Sequence, residues 1–165
     1  MNLRPAQPQD VPALLDISRE GLETYRPFAP EGWEPPNFQP EDVVAIDDVA
    51  TWILAEEDGE PVGHVLLIPA QRSREPVDDP KLGHLMMLFV RRTHWGTPTA
   101  HTLHEAMIAA AAERGFIELR LFTPTGQKRA RRFYEREGWS AVREFFAPHL
   151  GFDVVEYRRG CPTPS

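Results

Sequence analysis

The chain has 165 residues, 41% of them hydrophobic and 26% charged, and this length suits one domain with one sizeable core. No apolar run approaches the roughly 20 residues that cross a bilayer, and the start Met-Asn-Leu-Arg-Pro has no apolar signal-peptide core. We therefore expect a cytoplasmic protein that does not contact a membrane. A single cysteine, Cys161, excludes an internal disulfide and a thiolate metal cluster, and we predict no metal site.

The net charge of −7 is unevenly distributed along the chain. The first 82 residues carry 17 acidic and 6 basic side chains, a net −11, whereas the remainder carries 8 acidic and 12 basic ones, a net +4. Because summed charge steers ligands, a positive half favours a polyanionic ligand and an acidic half favours a cationic one. A drift of surface charge without functional meaning explains the same numbers.

Apolar periodicity and turn residues predict eleven elements in the order βα(α)βββαβαββ. The strands are predicted at residues 3–6, 51–55, 61–68, 85–90, 117–122, 139–146 and 152–158. The helices are predicted from a cap at Asp10 to about Leu22, and at 41–49, 97–114 and 127–137. Hairpin and crossover connections together indicate an α/β or α+β fold, with one domain over 1–160 and a tail at 161–165.

Three connections carry further information. Residues 26–40 combine five prolines with three aromatic residues, so we predict a structured loop that either walls a substrate pocket or only covers the core. Residues 69–82 form a polar connection with several prolines. The pair Asp58-Gly59 separates two β-rich runs and predicts a tight hairpin.

The strand at 85–90 is followed by a short loop and then by a helix that begins near Thr97. Amides at a helix N-terminus lack intrahelical partners and lie at the positive end of the helix dipole, so the loop is a candidate anion-binding site. Thr97 and Pro98 also suit an ordinary N-cap and first-turn pair, which requires no ligand.

Two segments resemble the GNAT superfamily of acetyl-CoA-dependent N-acetyltransferases. Residues 90–103 are similar to its cofactor loop, R/Q-x-x-G-x-G/A, which follows a strand that ends in valine. Residues 127–139 are similar to its second signature, N-x-x-A-x-x-F-Y-x-x-x-G-F/W, with Gln127 in place of asparagine. The residues in register with this signature are Ala130, Phe133, Tyr134, Gly138 and Trp139. Weaker similarity extends from Leu3 to Arg159.

The resemblance implies a GNAT fold, in which a mixed, mostly antiparallel sheet of six or seven strands is flanked by helices and holds acetyl-CoA in a split. The implied cofactor contacts are Leu88, Val90, Trp95, Gly96, Thr97, Thr99, Ala100, Gln127, Arg129 and Phe133, the first two through their backbone to the pantetheine arm. Trp95 replaces the usual Arg or Gln. Pro98 replaces the first motif glycine and removes one amide N–H from the loop.

The resemblance also places the Tyr134 hydroxyl near the sulfur of the cofactor, as the acid that protonates the departing thiolate. A core tyrosine with a satisfied hydroxyl is the alternative. His84 stands near the position of a glutamate that many GNAT enzymes use as base, and its ordinary pKa of ~6.5 suits proton removal. His64, acidic residues of the first half and a water-mediated path remain alternatives.

The implied activity is acetyl transfer from acetyl-CoA to a primary amine of a small molecule, a peptide or a protein. Since no serine or cysteine is placed to carry the acetyl group, we expect direct transfer in a ternary complex. The acidic first half favours a cationic acceptor, which would enter beside the 26–40 loop, the 69–82 connection and the last hairpin. The alternative is a non-catalytic acyl-CoA-binding or regulatory module in which Trp95 and Pro98 have eroded catalysis.

Nucleic-acid binding through the basic run at 128–132 is not expected, because the chain is acidic overall and has no basic strands interleaved with aromatic residues. The oligomeric state stays open, with a homodimer among the alternatives.

Overall fold

The computed structural model describes residues 1–42 and 49–163 of the chain. The strands in this part are β1 (Asn2–Pro5), β2 (Thr51–Glu57), β3 (Glu60–Pro69), β4 (Leu82–Val90), β5 (Glu118–Pro124), β6 (Ser140–Ala147) and β7 (Phe152–Gly160). The α-helices are α1 (Val11–Glu23), α2 (Thr99–Glu113) and α3 (Lys128–Arg136). This mixed α/β arrangement confirms the predicted fold class. The short helix predicted at 41–49 falls mostly outside the described residues.

The seven strands form one sheet in the order β1-β2-β3-β4-β5-β7-β6. Every neighbouring pair is antiparallel except β4 and β5. These two run parallel and pair only between Leu82–His84 and Glu118–Arg120. Beyond His84 the two strands diverge, so the sheet is split at its centre and both strands carry unpaired backbone groups there.

The sheet is covered on both faces. The α2 helix packs on one face over a core that includes Leu85, Leu103, Met107 and Tyr157. The α1 helix lies on the other face, where Leu14 joins a cluster of buried side chains from β2 and β3. Among the described residues, no helix combines the length and the apolar character needed to cross a bilayer.

A bulge in β4 changes which side chains face each side of the sheet. Met87 adopts a φ of 57°, and the pairing of β4 with β3 shifts at this point. Leu85 and Leu88 consequently pack towards α2, whereas Met86 and Met87 pack towards α1. The unbroken apolar run predicted a strand but contained no signal for the bulge.

The β2–β3 hairpin agrees with its prediction, whereas the start of α1 differs from its prediction. The hairpin between β2 and β3 turns at Asp58 and Gly59, both at positive φ (52° and 79°), as a tight Asp-Gly turn requires. Asp10 precedes α1, but its carboxylate does not cap the helix. It accepts hydrogen bonds from Arg4 at 2.7 and 2.8 Å and from the amide of Gln7 at 2.7 Å. The Asp10 carboxylate instead takes part in the capping box of a 3-10 turn at residues 8–10.

Candidate active site

The split between β4 and β5 forms a groove of about 690 Å³. It is lined by the diverging part of β4, the loop that follows it, the start of α2, α3, and the end of α1. The groove therefore reaches both faces of the sheet, with α2 and α3 on one side and α1 on the other. A ligand in the split can contact a second ligand that approaches from the opposite face.

The loop between β4 and α2 contributes Gly96 and Thr97 to the groove lining. Gly96 has a φ of 78°, which lets the chain turn into the helix. The Thr97 hydroxyl donates to the carbonyl of His94 at 2.5 Å and lies 3.4 Å from the amide of Thr99. Pro98 is the N-cap and α2 begins at Thr99, one residue later than a Thr97 cap would place it. The first helical amides after Thr99 lack intrahelical acceptors, as expected of an anion-binding N-terminus.

Trp95 lies in this loop and lines the groove beside Arg129 of α3. Its indole N–H donates to the carbonyl of Val90 at 3.1 Å. Its ring also contacts the guanidinium groups of Arg92 and Arg129, whose central carbons lie 5.2 and 4.7 Å from the ring centroid. Val90 is the last residue of β4, where this strand no longer pairs with β5. The indole N–H is therefore bonded to a backbone carbonyl that lies inside the split.

The α3 helix carries Tyr134 into the groove and is held by β7. Tyr134 is buried among Phe133, Trp139 and Tyr157, and burial raises the pKa of its hydroxyl. The Tyr157 hydroxyl donates to Glu135 at 3.0 Å. Tyr134 therefore keeps its proton at neutral pH, and the hydrogen bond between Tyr157 and Glu135 ties its helix to β7.

A second tyrosine lines the groove from the side of α1. Tyr25 follows α1, and burial raises the pKa of its hydroxyl as well. The Tyr25 ring packs against Phe28 and Phe152, whereas the Tyr134 ring packs against Phe133 and Trp139, and both tyrosines line the groove. Within residues 1–42 and 49–163, neither hydroxyl has a hydrogen-bond partner. The groove therefore contains two neutral phenols on opposite faces of the sheet.

A histidine and carboxylate pair lies where α2 meets α3. His101 Nδ1 is 2.7 Å from Glu137 Oε1, and this contact raises the pKa of His101. The neighbouring His104 is fully buried and accepts the indole N–H of Trp139 at 2.9 Å on Nε2, so its Nδ1 carries the hydrogen. That nitrogen faces Glu105 and Glu137 at 3.6 and 3.7 Å and cannot act as a metal ligand in this tautomer.

Most of the residues predicted to bind cofactor or to act in catalysis meet in this groove. Those in its lining are Leu88, Val90, Trp95, Gly96, Thr97, Ala100, Gln127, Arg129, Phe133 and Tyr134. Thr99 is buried and lies behind the lining, with its hydroxyl 2.9 Å from that of Thr97. His84 also lies outside the lining.

His84 is buried at the point where the split begins. Arg120 donates from Nε to His84 Nδ1 at 3.2 Å, and the ring packs on Phe122 with centroids 4.9 Å apart. Burial and the nearby guanidinium groups lower the pKa of His84 to about 3. The structure thus does not bring His84 together with Tyr134, and it holds the imidazole neutral.

His64, the alternative histidine, is a fully buried core residue. Trp52 donates to its Nδ1 at 3.1 Å, so Nε2 carries the hydrogen and donates to the Ser18 hydroxyl at 3.0 Å. Ser18 in turn donates to the carbonyl of Leu14 at 2.8 Å. Burial lowers the pKa of His64 to about 3. Both ring nitrogens are used by the fold, which leaves none for a substrate.

The loop at 26–40 is fixed by its aromatic residues. Phe28 and Trp33 pack against Phe152 at centroid distances of 6.2 and 5.6 Å, and the Trp33 indole donates to the carbonyl of Leu150 at 2.5 Å. Neither ring lines the groove, so these aromatic residues support the wall rather than form it. They hold Tyr25 in place from behind, with the Phe28 ring 5.6 Å from that of Tyr25.

Sequence reasoning missed several residues of the lining. Tyr25, Met86, Met87 and Phe89 line the α1 side of the groove, and His101 and Glu137 line it near α2. The last two residues lie within the two motif segments, 90–103 and 127–139, which is a signal that could have found them. The position of Tyr25 depends on the docking of a loop on a distant hairpin, and no local pattern predicts that contact.

Solved structures resemble the chain over nearly its whole length. A ribosomal-protein-alanine N-acetyltransferase from Brucella melitensis superposes with a TM-score of 0.74 at 17% identity, covering 97% of this chain and 99% of that one. A GNAT-family acetyltransferase from Streptococcus pneumoniae gives 0.71 at 19% identity, covering 98% and 99%. YncA from Salmonella typhimurium, solved with its cofactor acetyl-CoA, gives 0.74 at 12% identity, covering 100% and 96%. At these identities the likeness shows the shared fold.

Sequence comparison identifies the family. No curated protein sequence is similar enough to count as a match. The family model described as the acetyltransferase (GNAT) family, however, matches residues 18–139, well over half of the chain. This match confirms the resemblance seen in the two motifs. The protein therefore belongs to the GNAT family of acetyltransferases, acyltransferases whose cosubstrate is acetyl-CoA.

Proposed function

We propose that the protein transfers an acetyl group directly from acetyl-CoA to a primary amine that approaches from the α1 face of the split. The observation that supports this most strongly is the convergence of the two motifs. The loop at the N-terminus of α2 and the Tyr134 phenol line the same groove, although 34 residues separate Ala100 from Tyr134 in the sequence. Because the groove is open to both faces of the sheet, the amine can reach the thioester directly. No residue of the protein then needs to carry the acetyl group.

The groove suits the chemistry of acetyl-CoA. The N-terminus of α2 and the side chains of Arg129, Arg132 and Arg136 favour the negative charge of phosphates. The unpaired backbone of β4 at Leu88 and Val90 supplies hydrogen-bonding groups for the amides of the pantetheine arm. When bound, acetyl-CoA supplies a thioester whose C–S bond breaks as the new N–C bond forms.

Tyr134 is the proposed general acid. Its raised pKa keeps the hydroxyl protonated, so Oη holds a proton for the departing sulfur. For the amine proton we propose release to water, because the pKa of His84 is too low for it to accept a proton at neutral pH. His84 then supports the apex of the split through its contacts with Arg120 and Phe122.

The groove lining bears on the charge of the acceptor amine. The acidic first half favours a cationic amine, but among the described groove residues the only carboxylate is that of Glu137, and it lies near α2 and α3. Support for a cationic acceptor therefore rests on overall charge alone. Small molecules, peptides and proteins all offer primary amines to this groove.

Two measurements test the proposal. Titration calorimetry with acetyl-CoA is expected to show saturable binding, and thiol release with a panel of primary amines is expected to show amine-dependent turnover. Absence of heat at millimolar acetyl-CoA would reject the cofactor site. Binding without turnover for any amine would instead support the non-catalytic alternative.

Trp95 is expected to weaken cofactor binding in the wild-type protein. Its indole N–H already occupies the Val90 carbonyl, which the pantetheine arm is proposed to use. The substitution Trp95→Phe keeps an aromatic ring beside Arg129 but removes the N–H. We expect the Kd for acetyl-CoA to fall by about 2- to 10-fold, the effect of one hydrogen bond. Calorimetry measures this value, and an unchanged or higher Kd contradicts the prediction.

A further inference from the structure

The groove changes its chemical character between its two ends. The ionisable side chains in its described lining, phenols aside, come from the loop after β4, from α2 and from the α3 region: His94, His101, Arg129, Arg132, Arg136 and Glu137. The lining on the α1 face is uncharged and largely apolar: Thr24, Tyr25, Met86, Met87, Phe89 and Phe122. Charge is thus concentrated where the phosphates of the cofactor are proposed to bind.

This segregation bears on the second substrate. An ammonium group that enters an apolar site without a counter-charge loses its hydration and gains no ion pair in return. An apolar substituent, in contrast, gains free energy when Met86, Phe89 and Phe122 remove it from water. The α1 face therefore favours an amine that binds in its neutral form and carries an apolar or aromatic group.

One hydroxyl on this face is placed to hold the amine nitrogen. Tyr25 follows α1 and lines the same groove as Tyr134, and its hydroxyl has no hydrogen-bond partner in the described part of the chain. Its ring is fixed by Phe28 at 5.6 Å and by Phe152 at 6.0 Å, in centroid distances. Phe28 is itself held against Gly126, where a Cβ would come within 2.7 Å of the Phe28 Cβ.

We propose that the α1 face of the split is an acceptor pocket for an uncharged, apolar primary amine, and that the Tyr25 hydroxyl accepts a hydrogen bond from the amine N–H. This inference rests on the proposed transfer to an amine. Tyr25 is a positioning residue and not a base, because a neutral phenol accepts a hydrogen bond without accepting the proton. It aims the nitrogen lone pair through the split towards the side of Tyr134.

A comparison of two amines tests the acceptor class. 2-Phenylethylamine and 1,4-diaminobutane are both primary alkylamines, but the first ends in an aromatic ring and the second in another ammonium group. With acetyl-CoA and the full-length chain, we expect kcat/KM to be at least about 10-fold higher for 2-phenylethylamine, because the ring is buried and the second charge is not compensated. Equal values, or a preference for 1,4-diaminobutane, overturn the apolar pocket.

The Tyr25→Phe variant tests the hydrogen bond. We expect kcat/KM for 2-phenylethylamine to fall about 3- to 10-fold, mainly through KM, as for the loss of one hydrogen bond. The Kd for acetyl-CoA and the pKa seen in the pH profile are expected to stay the same, since Tyr25 neither binds the cofactor nor takes the proton.

The control variant is Phe28→Leu, which loosens the packing behind Tyr25 without removing its hydroxyl. An equal loss of kcat/KM in both variants, no loss in Tyr25→Phe, or a loss that appears in the Kd for acetyl-CoA overturns the assignment. If the wild-type chain binds acetyl-CoA and no amine releases thiol, the proposed transfer itself fails. That outcome differs from turnover that Tyr25→Phe leaves unchanged.

Discussion

Replacement of Tyr134 by phenylalanine is expected to lower kcat by about 100-fold or more, the usual contribution of a positioned general acid. The ring packs among Phe133, Trp139 and Tyr157, and all of these contacts remain when only the hydroxyl is removed. We therefore expect the Kd for acetyl-CoA to stay within about twofold of the wild-type value, since ring packing persists. Steady-state kinetics and calorimetry on the same preparation measure the two effects separately.

Tyr157→Phe is the matched control for this experiment. It also removes one phenol oxygen, but that oxygen donates to Glu135 and lies outside the groove lining. The expected result is a loss of stability of about 1 kcal/mol from the loss of part-buried hydrogen bonds with Arg131 and Glu135, with a much smaller effect on kcat. A Tyr134→Phe enzyme with wild-type kcat would show that another group protonates the thiolate.

Acid is expected to destabilise the fold well above the pH at which carboxylates titrate. The pKa values of His64 and His84 are lowered to about 3, whereas both residues titrate at an ordinary 6.5 in the unfolded chain. Between pH 6.5 and 3 the unfolded state therefore binds more protons, so the stability contribution is complete above pH 6.5 and decreases as the pH falls. As the pH falls through this window, each histidine removes up to roughly 1.4 kcal/mol of stability per pH unit, or about 3 kcal/mol for both between pH 6.5 and 5.

Urea unfolding at pH 7.5 and pH 5.0 measures this difference directly. His64→Gln removes one of the histidines whose pKa is lowered by burial, a set that also includes His84, His104 and His149, so its loss of stability between the two pH values is expected to be smaller than that of the wild type. His101 acts in the opposite direction, because Glu137 raises its pKa, but its side chain is exposed and its effect is correspondingly small. A free energy of unfolding that stays constant from pH 7.5 to 5.0 contradicts the prediction.

The fold was predictable because its elements are locally encoded. The tight Asp58-Gly59 turn, the apolar stripe of α2 and the glycines at 115 and 138, both at positive φ, mark their elements without reference to the rest of the chain. Strand ends were less predictable. Ile117 fits an alternating pattern, yet it lies outside β5 with 64% of its surface exposed. The amide of Cys161 donates to the carbonyl of Ile117 at 2.9 Å, which continues the register of β5 and β7 by one residue pair.

The groove was predictable only where it coincides with the motifs. Tyr134 and Gly96 follow from sequence similarity, and both line the groove. His84 was selected by its position before the central strand, but its burial depends on Arg120 and Phe122, which belong to a strand formed more than 30 residues later. The contact between Trp95 and Val90 likewise depends on a rotamer that no sequence pattern encodes. Three-dimensional packing decides these positions.

The positive φ of Met87 in β4 places neighbouring side chains on opposite sides of the split, so the two sides can be substituted independently. Because Met87 reverses the alternation of side chains, Met86 and Phe89 face the side proposed for the amine, whereas Leu85 and Leu88 face the side of α2. Substitutions at the first two positions are therefore expected to alter amine selectivity while thioester recognition stays constant. A variant library confined to those two positions would therefore sample new acceptors without sacrificing use of the common acyl donor.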